Sequence, residues 1–257
     1  MGRHLWGPAR RRDGLALAGE VVGVGFVMQN TVSRAACKGR EMKKRLREPV
    51  SGLTHLAGVL LAGAGLVVLL ATAARAGRMD QLVAFGIFGL SLIALYAASS
   101  LYHLLPLSPP AVARLRRVDH MTIFVLIAGT YTPICLLALR GGWRIGLLGL
   151  VWGLALCGVL LKLSWMGAPR WVSVALYLAM GWVAVVAAPA IFETVPAGGI
   201  GWLLAGGVVY SVGALIYGLK RPDPVPGVFG FHELWHLFVL AGSACHFWVM
   251  LRYIATL

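Results

Sequence analysis

Long apolar runs dominate the chain from residue 52 onward. Seven of them, near 52–74, 81–105, 119–139, 144–164, 171–192, 199–219 and 233–255, each hold about the 20 mostly apolar residues that a helix needs to cross a bilayer. The connections between them are short and leave no room for an internal soluble domain. The predicted fold class is therefore all-α, a polytopic membrane protein built as a seven-helix bundle. Gly58, Gly63, Gly86, Gly149, Gly153, Gly206 and Gly213 fall within the runs and are expected to allow close helix contact. Pro133 in GTYTP and Pro189 in AAPAI should kink or end their helices, since each removes an internal hydrogen bond.

Composition agrees with the pattern. The chain has 257 residues, 59% of them hydrophobic and 12% charged, where a soluble domain carries about 25% charged residues. The net charge of +14 raises the question of nucleic acid. The basic residues, however, cluster before the first run and in short loops, which is the arrangement that orients membrane helices, and no soluble basic domain remains to bind nucleic acid. One set of loops carries Arg34 to Arg47 before the first run, then Arg114, Arg116 and Arg117, then Lys162 and Arg170, then Lys220 and Arg221. The opposite set has Arg75 and Arg78, Arg140 and Arg144, and Arg252. The richer set should be cytoplasmic, which places the N-terminus inside and the C-terminus outside. Cys37, Cys135, Cys157 and Cys245 are scattered without a CxxC pair. Three lie inside apolar runs and read as small buried hydrophobes, not as a disulfide frame.

Residues 1–41 do not conform. GLALAGEVVGVGFVMQNTVS is moderately apolar, but Glu20 interrupts it, and a central acid costs about 2.5–3.5 kcal/mol on insertion scales. The segment also lacks a clear small-residue cleavage site after its core. A functional chain starting at Met42, with MKKRLREPVS, would give a compact basic lead into the first span. We therefore divide the chain into a basic extension, 1–41, disordered or foreign to the native protein, and a membrane domain, 42–257.

Ionisable residues inside spans are expensive and by default mark a functional site. His103 closes the second run in ASSLYH, Asp119 opens the third in RRVDHMTIF, and His232 and His236 open the seventh in FHELWH. By the loop assignment all four lie at the cytoplasmic level, although they come from three separate helices. Residues i and i+4 are about 6 Å apart along a helix and nearly in line, so His232 and His236 can face one point, as can Ser99 and His103. Three neutral imidazoles with an open fourth position form the usual catalytic zinc arrangement. His246 lies about 15 Å deeper than His236 and is rotated by about 80°; it reads as a buried, hydrogen-bonded histidine. His55 and His120 share the cytoplasmic level and read as supporting residues. HELWH also matches the HExxH of zinc proteases, in which the glutamate is the general base. Intramembrane proteases of that type draw a further ligand from an LDG-like motif, whereas the sole DG pair here is Asp13-Gly14, outside the spans.

EPVSGLTHLAG, SSLYH, DHMTIFVLIAGTYTP and HELWHLFVLAGSACHF occur in this order, and together they resemble the hemolysin III proteins. These are bacterial relatives of the progestin and adipoQ receptors and, more distantly, of alkaline ceramidases. The resemblance runs from about Met42 to the C-terminus. It implies seven helices in a bacterial inner membrane, a cytoplasmic N-terminus and one zinc ion near the cytoplasmic leaflet. Carried over by motif, His103, His232 and His236 are the zinc ligands, Asp119 is the aspartate near the metal, and Ser99 is the serine one turn before the first histidine. Glu233 falls outside the family's core pattern, and its role stays open.

Three functional classes follow. The leading one is a zinc-dependent hydrolase of a lipid amide or ester, in which Asp119 accepts a proton, Ser99 steadies the site and membrane lipids are the partners. The second is a non-enzymatic membrane sensor whose zinc staples helices together. The third is cytolysis, which requires an aqueous path, yet the outer halves of the spans carry few polar residues. Proton-coupled transport would require ionisable groups across the bilayer, and here they gather on one side.

Overall fold

The protein is described by a computed structural model covering residues 46–257. The extension 1–41, its boundary at Met42 and Cys37 lie outside the described residues. Among the described residues, seven helices are long and apolar enough to cross a membrane: α1 Pro49–Arg75, α2 Met79–Leu104, α3 Pro109–Ala138, α4 Gly141–Ser164, α5 Arg170–Thr194, α6 Ala197–Leu219 and α7 Phe231–Ile254. Among the described residues there is no strand, only a single pairing of Val225 with Phe229 in the α6–α7 connection.

The helix boundaries follow from local chemistry. Pro49 and Pro109 lie in the first turns of α1 and α3, where no backbone donor is needed and the fixed φ suits the helix. The start of α3 corrects the sequence reading. The helix begins ten residues before Asp119, so Asp119 sits inside it instead of opening it. The apolar run marks only the membrane-buried length, whereas the polar turns of AVARLRR continue the same helix beyond it. Pro133 ends the regular α-helical part of α3, and Ile134–Ala138 widens into a π-helical turn. The fifth span breaks as expected: Trp182–Ala187 tightens to a 3₁₀ helix, and Pro189 sits in the first turn of the restarted helix Ala188–Thr194.

Helices α1 and α2, α2 and α3, α3 and α4, and α6 and α7 pack pairwise, and α7 closes against α1. In α2 and α3, 56% of the central window is buried, against 22–33% in the other spans; these two helices form the interior wall. The outward faces carry large apolar side chains such as Leu60 (70% exposed) and Ile145 (75%), a surface that suits lipid rather than water. A methyl group added at Gly58, Gly206 or Gly213 would meet a neighbouring helix, whereas Gly63, Gly86, Gly149 and Gly153 have nothing within 4 Å. The expected role of glycine in helix contact therefore holds at the first three positions and fails at the last four, where the missing side chain faces open space. Cys135 is buried and Cys245 partly so, but Cys157 is exposed. The reading of Cys157 as a buried hydrophobe is corrected, because an apolar run in a membrane helix has an outward face too.

Candidate metal centre

His103 sits in the last turn of α2, and His232 and His236 lie in the first turns of α7. Each of the three offers a ring nitrogen, and these atoms all lie within 4.8 Å of one another. Their ring centroids are 4.6 Å to 5.0 Å apart. His103 Nε2 and His232 Nε2 are 3.2 Å apart. Two ligands of a tetrahedral ion at about 2.0–2.1 Å would be about 3.3 Å apart, so the spacing of this pair fits a shared metal.

The opposite ring edges have partners of their own. His236 Nδ1 donates to the Ser51 carbonyl at 3.1 Å, and His103 Nδ1 faces the Glu48 carboxylate. An imidazole that donates from Nδ1 presents Nε2 as an unprotonated acceptor, which is how outer hydrogen bonds fix the tautomer of a metal-ligating histidine. Glu48 is further held by its own backbone, whose N–H donates to the His103 carbonyl at 2.9 Å. Arg47 reaches Glu48 at 3.4 Å and lies over the Tyr102 ring at 4.4 Å. The hydrogen bond with His103, helped by the charge of Arg47, holds the Glu48 carboxyl below its ordinary pKa despite partial burial. It is therefore an anion at neutral pH, suited to support a cation-binding imidazole.

Glu233, whose role the sequence left open, makes two hydrogen bonds. One oxygen accepts from Ser51 Oγ at 2.6 Å and the other from the Gly230 backbone N–H at 2.8 Å. Glu233 caps α7 and latches it to α1. Both carboxylate oxygens are thus engaged in hydrogen bonds, although Glu233 also lines the cavity that holds the three imidazoles. His55 is not in the ligand cluster. Its ring stacks on His236 at 3.7 Å with an 8° tilt and meets the Tyr96 ring edge at 5.1 Å. His246, expected to be buried, is only partly so; its Nε2 lies 3.4 Å from the Leu203 carbonyl, and its Nδ1 has no partner among the described residues.

A cavity of about 400 Å³ runs from the three imidazoles into the bundle, as far as Tyr210 and His246. Ser99 and Asp119, the two other site residues expected from the sequence, also line it. Both are buried, and the Ser99 hydroxyl has no hydrogen-bond partner among the described residues. Deeper, apolar Leu95, Ile123, Ile127 and Val239 share the wall with Thr130, Tyr131, Tyr210 and Ser211. The volume falls within the range of small-molecule sites, about 300–1,000 Å³. Glu48 and Ser51 escaped the sequence reading. Their signal was the position of an acid and a hydroxyl immediately before and inside the first turn of a span, in EPVSG.

With this geometry in place, comparison with known proteins decides the family. The haemolysin-III-related family model matches residues 43–247. The chain belongs to the haemolysin-III-related family. It is 38% identical to Hemolysin-3 of Bacillus cereus over 210 residues, covering 80% of this chain and 91% of the relative. It is also 38% identical to a Hemolysin-3 homolog of Bacillus subtilis (strain 168) over 206 residues, covering 80% and 93%. A more distant similarity, 26% over 175 residues, links it to the human monocyte to macrophage differentiation factor, covering 65% and 69%. This haemolysin-III-related protein is thus a multi-pass membrane protein whose His103, His232 and His236 could hold a metal ion.

Proposed function

We propose that the protein is a zinc-dependent hydrolase of a membrane lipid amide or ester. The observation that carries this reading is the cavity itself: three imidazoles meet at one end of a chamber with apolar and polar walls that also contains the Asp119 carboxyl group and the unpaired Ser99 hydroxyl. Three neutral nitrogen donors suit zinc and leave one position for water or substrate. Zinc bound there would polarise a carbonyl and lower the pKa of water towards neutrality.

The chain's own residues would do the rest. Asp119, with Arg116 one turn earlier on the same helix, is the general base that takes a proton from water and returns it to the leaving amine or alcohol. The Ser99 hydroxyl, one turn before His103, donates to the substrate oxygen. His55 buttresses His236 through its stacked ring, and Glu48 and Ser51 fix the two tautomers. The apolar side chains deep in the cavity take the acyl chain and keep bulk water from it. On the positive-inside rule, the histidine end faces the cytoplasm, because Arg114, Arg116, Arg117, Lys162, Arg170, Lys220 and Arg221 all lie towards that end.

A structural metal in a sensor is favoured by one observation. The contacts around the site tie α1 to α2 through Glu48–His103 and α1 to α7 through Ser51–His236 and Ser51–Glu233, so a cation there would staple three helices. Purified protein carrying Asp119→Asn separates the two readings. Under the hydrolase reading it keeps its metal and thermal stability but loses lipid turnover. Turnover unchanged in Asp119→Asn, His103→Ala and His236→Ala alike would rule the hydrolase out.

A further inference from the structure

The mouth of the cavity carries two guanidiniums that pair with no described carboxylate. Arg116 and Arg170 line it beside Asp119 and His120. Arg170 is held in place: its guanidinium lies over the Tyr217 ring at 4.6 Å and the Phe231 ring at 5.3 Å, and it donates to the Tyr217 carbonyl at 3.1 Å. Tyr217 in turn sits 5.8 Å from the His232 ring, so the guanidinium is no more than two ring spacings from a candidate metal ligand. Behind this pair, Lys162 is 2% exposed and donates to Ser173 Oγ, a neutral hydroxyl.

Among the described residues the salt bridges are Arg47–Glu48, Arg78–Asp80 and His103–Glu48. None involves Arg116, Lys162 or Arg170. Glu48, Asp119 and Glu233 also line the cavity, yet neither Arg116 nor Arg170 forms a salt bridge with any of them. A buried ammonium and a stacked guanidinium without anions are costly to maintain, and an anionic ligand offsets that cost. A guanidinium offers a planar fork that matches phosphate or carboxylate oxygens, and stacking on aromatic rings orients it in advance. The positive-inside rule accounts for the presence of Lys162 and Arg170 at this end, but it does not require Arg170 to be pinned against the rings beside the metal site.

We propose that Arg116 and Arg170, backed by Lys162, select an anionic headgroup, phosphate or carboxylate, on a lipid whose chain extends into the cavity. For the word substrate this rests on the hydrolase reading. As a binding preference it stands independently, and the test is accordingly one of binding.

Full-length protein in detergent is titrated with three tail-labelled fluorescent probes sharing one acyl chain: lysophosphatidic acid, lysophosphatidylcholine and monoacylglycerol. Lysophosphatidic acid should bind at least about tenfold more tightly than monoacylglycerol, the scale of one charge-assisted hydrogen bond. Arg116→Gln/Arg170→Gln should bring the two to parity, while Arg140→Gln, at the opposite end of the bundle, retains the preference. Should the double variant fold poorly, Arg116→Gln alone, at an exposed position, must still reduce the ratio. Equal affinity for all probes, or a preference surviving in a stably folded double variant, overturns the proposal. Displacement of lysophosphatidic acid by an equal concentration of inorganic phosphate also overturns it, because the ligand is then a free anion and not a lipid. Loss of headgroup preference would leave hydrolysis of a neutral lipid standing, and absence of turnover would leave the headgroup site standing.

Discussion

Replacing Glu48 with alanine isolates the outer support of the metal centre from its ligands. The side chain of Glu48 is 45% exposed, so its loss opens no cavity in the bundle, and the replacement touches neither His232 nor His236. What it removes is the carboxylate facing His103 Nδ1. Without that acceptor the proton is free to sit on Nε2, the atom the metal requires, and the ring loses its orientation. Replacing such an outer partner typically costs 10–100-fold in metal affinity, equivalent to about 1.4–2.7 kcal/mol. Glu48→Gln keeps a neutral acceptor and should fall between wild type and alanine. The assay is zinc titration of purified full-length protein against a competing chelator of known affinity, at fixed pH and ionic strength. Zinc affinity of Glu48→Ala within threefold of wild type would refute the claim that this carboxylate sets the His103 tautomer.

Three further outcomes are expected. His103→Ala, His232→Ala and His236→Ala should each abolish the rise in melting temperature that zinc confers on the wild type, a stabilisation of about 2.7 kcal/mol at 100 times the Kd; differential scanning fluorimetry with and without a chelator reads it. Asp119→Asn should retain stoichiometric metal while lipid turnover, followed by mass spectrometry of products, falls by about 10²–10⁴-fold, the usual contribution of a general base. In α4, a methyl group at Gly158 would lie 2.3 Å from a ring carbon of the buried Phe124, whereas Gly153 has nothing within 4 Å. Gly158→Ala should therefore destabilise by about 1–3 kcal/mol and Gly153→Ala should be neutral or stabilise by up to about 1 kcal/mol; equal effects in detergent thermal melts would contradict the packing shown.

The seven spans were legible because a bilayer imposes a length and a composition, and both are visible along the chain without knowledge of any partner. The ends were less so. Hydropathy marks where a helix leaves lipid but not where it stops, which is why α3 extends ten residues before Asp119. The three histidines were legible because imidazoles in apolar runs are rare and the topology brings both helix ends to one level. Glu48 and Ser51 were not, because an acid and a serine at the start of a helix ordinarily read as capping, and only the fold brings them against His103 and His236. Glu233 shows the reverse case. HELWH suggests a catalytic base, yet the contacts of this residue with Ser51 and Gly230 give it a structural task. Which glycines face a neighbour and which face open space depends on the rotation of each helix, a property that no single span encodes.

The most direct measurement is X-ray absorption at the zinc edge, combined with elemental analysis of full-length protein purified without added metal. The account predicts one zinc per chain, with three imidazole nitrogens at about 2.0–2.1 Å and loss of the ion in His236→Ala. A wild-type protein with no stoichiometric metal, or a His236→Ala variant retaining the same nitrogen shell, would contradict it.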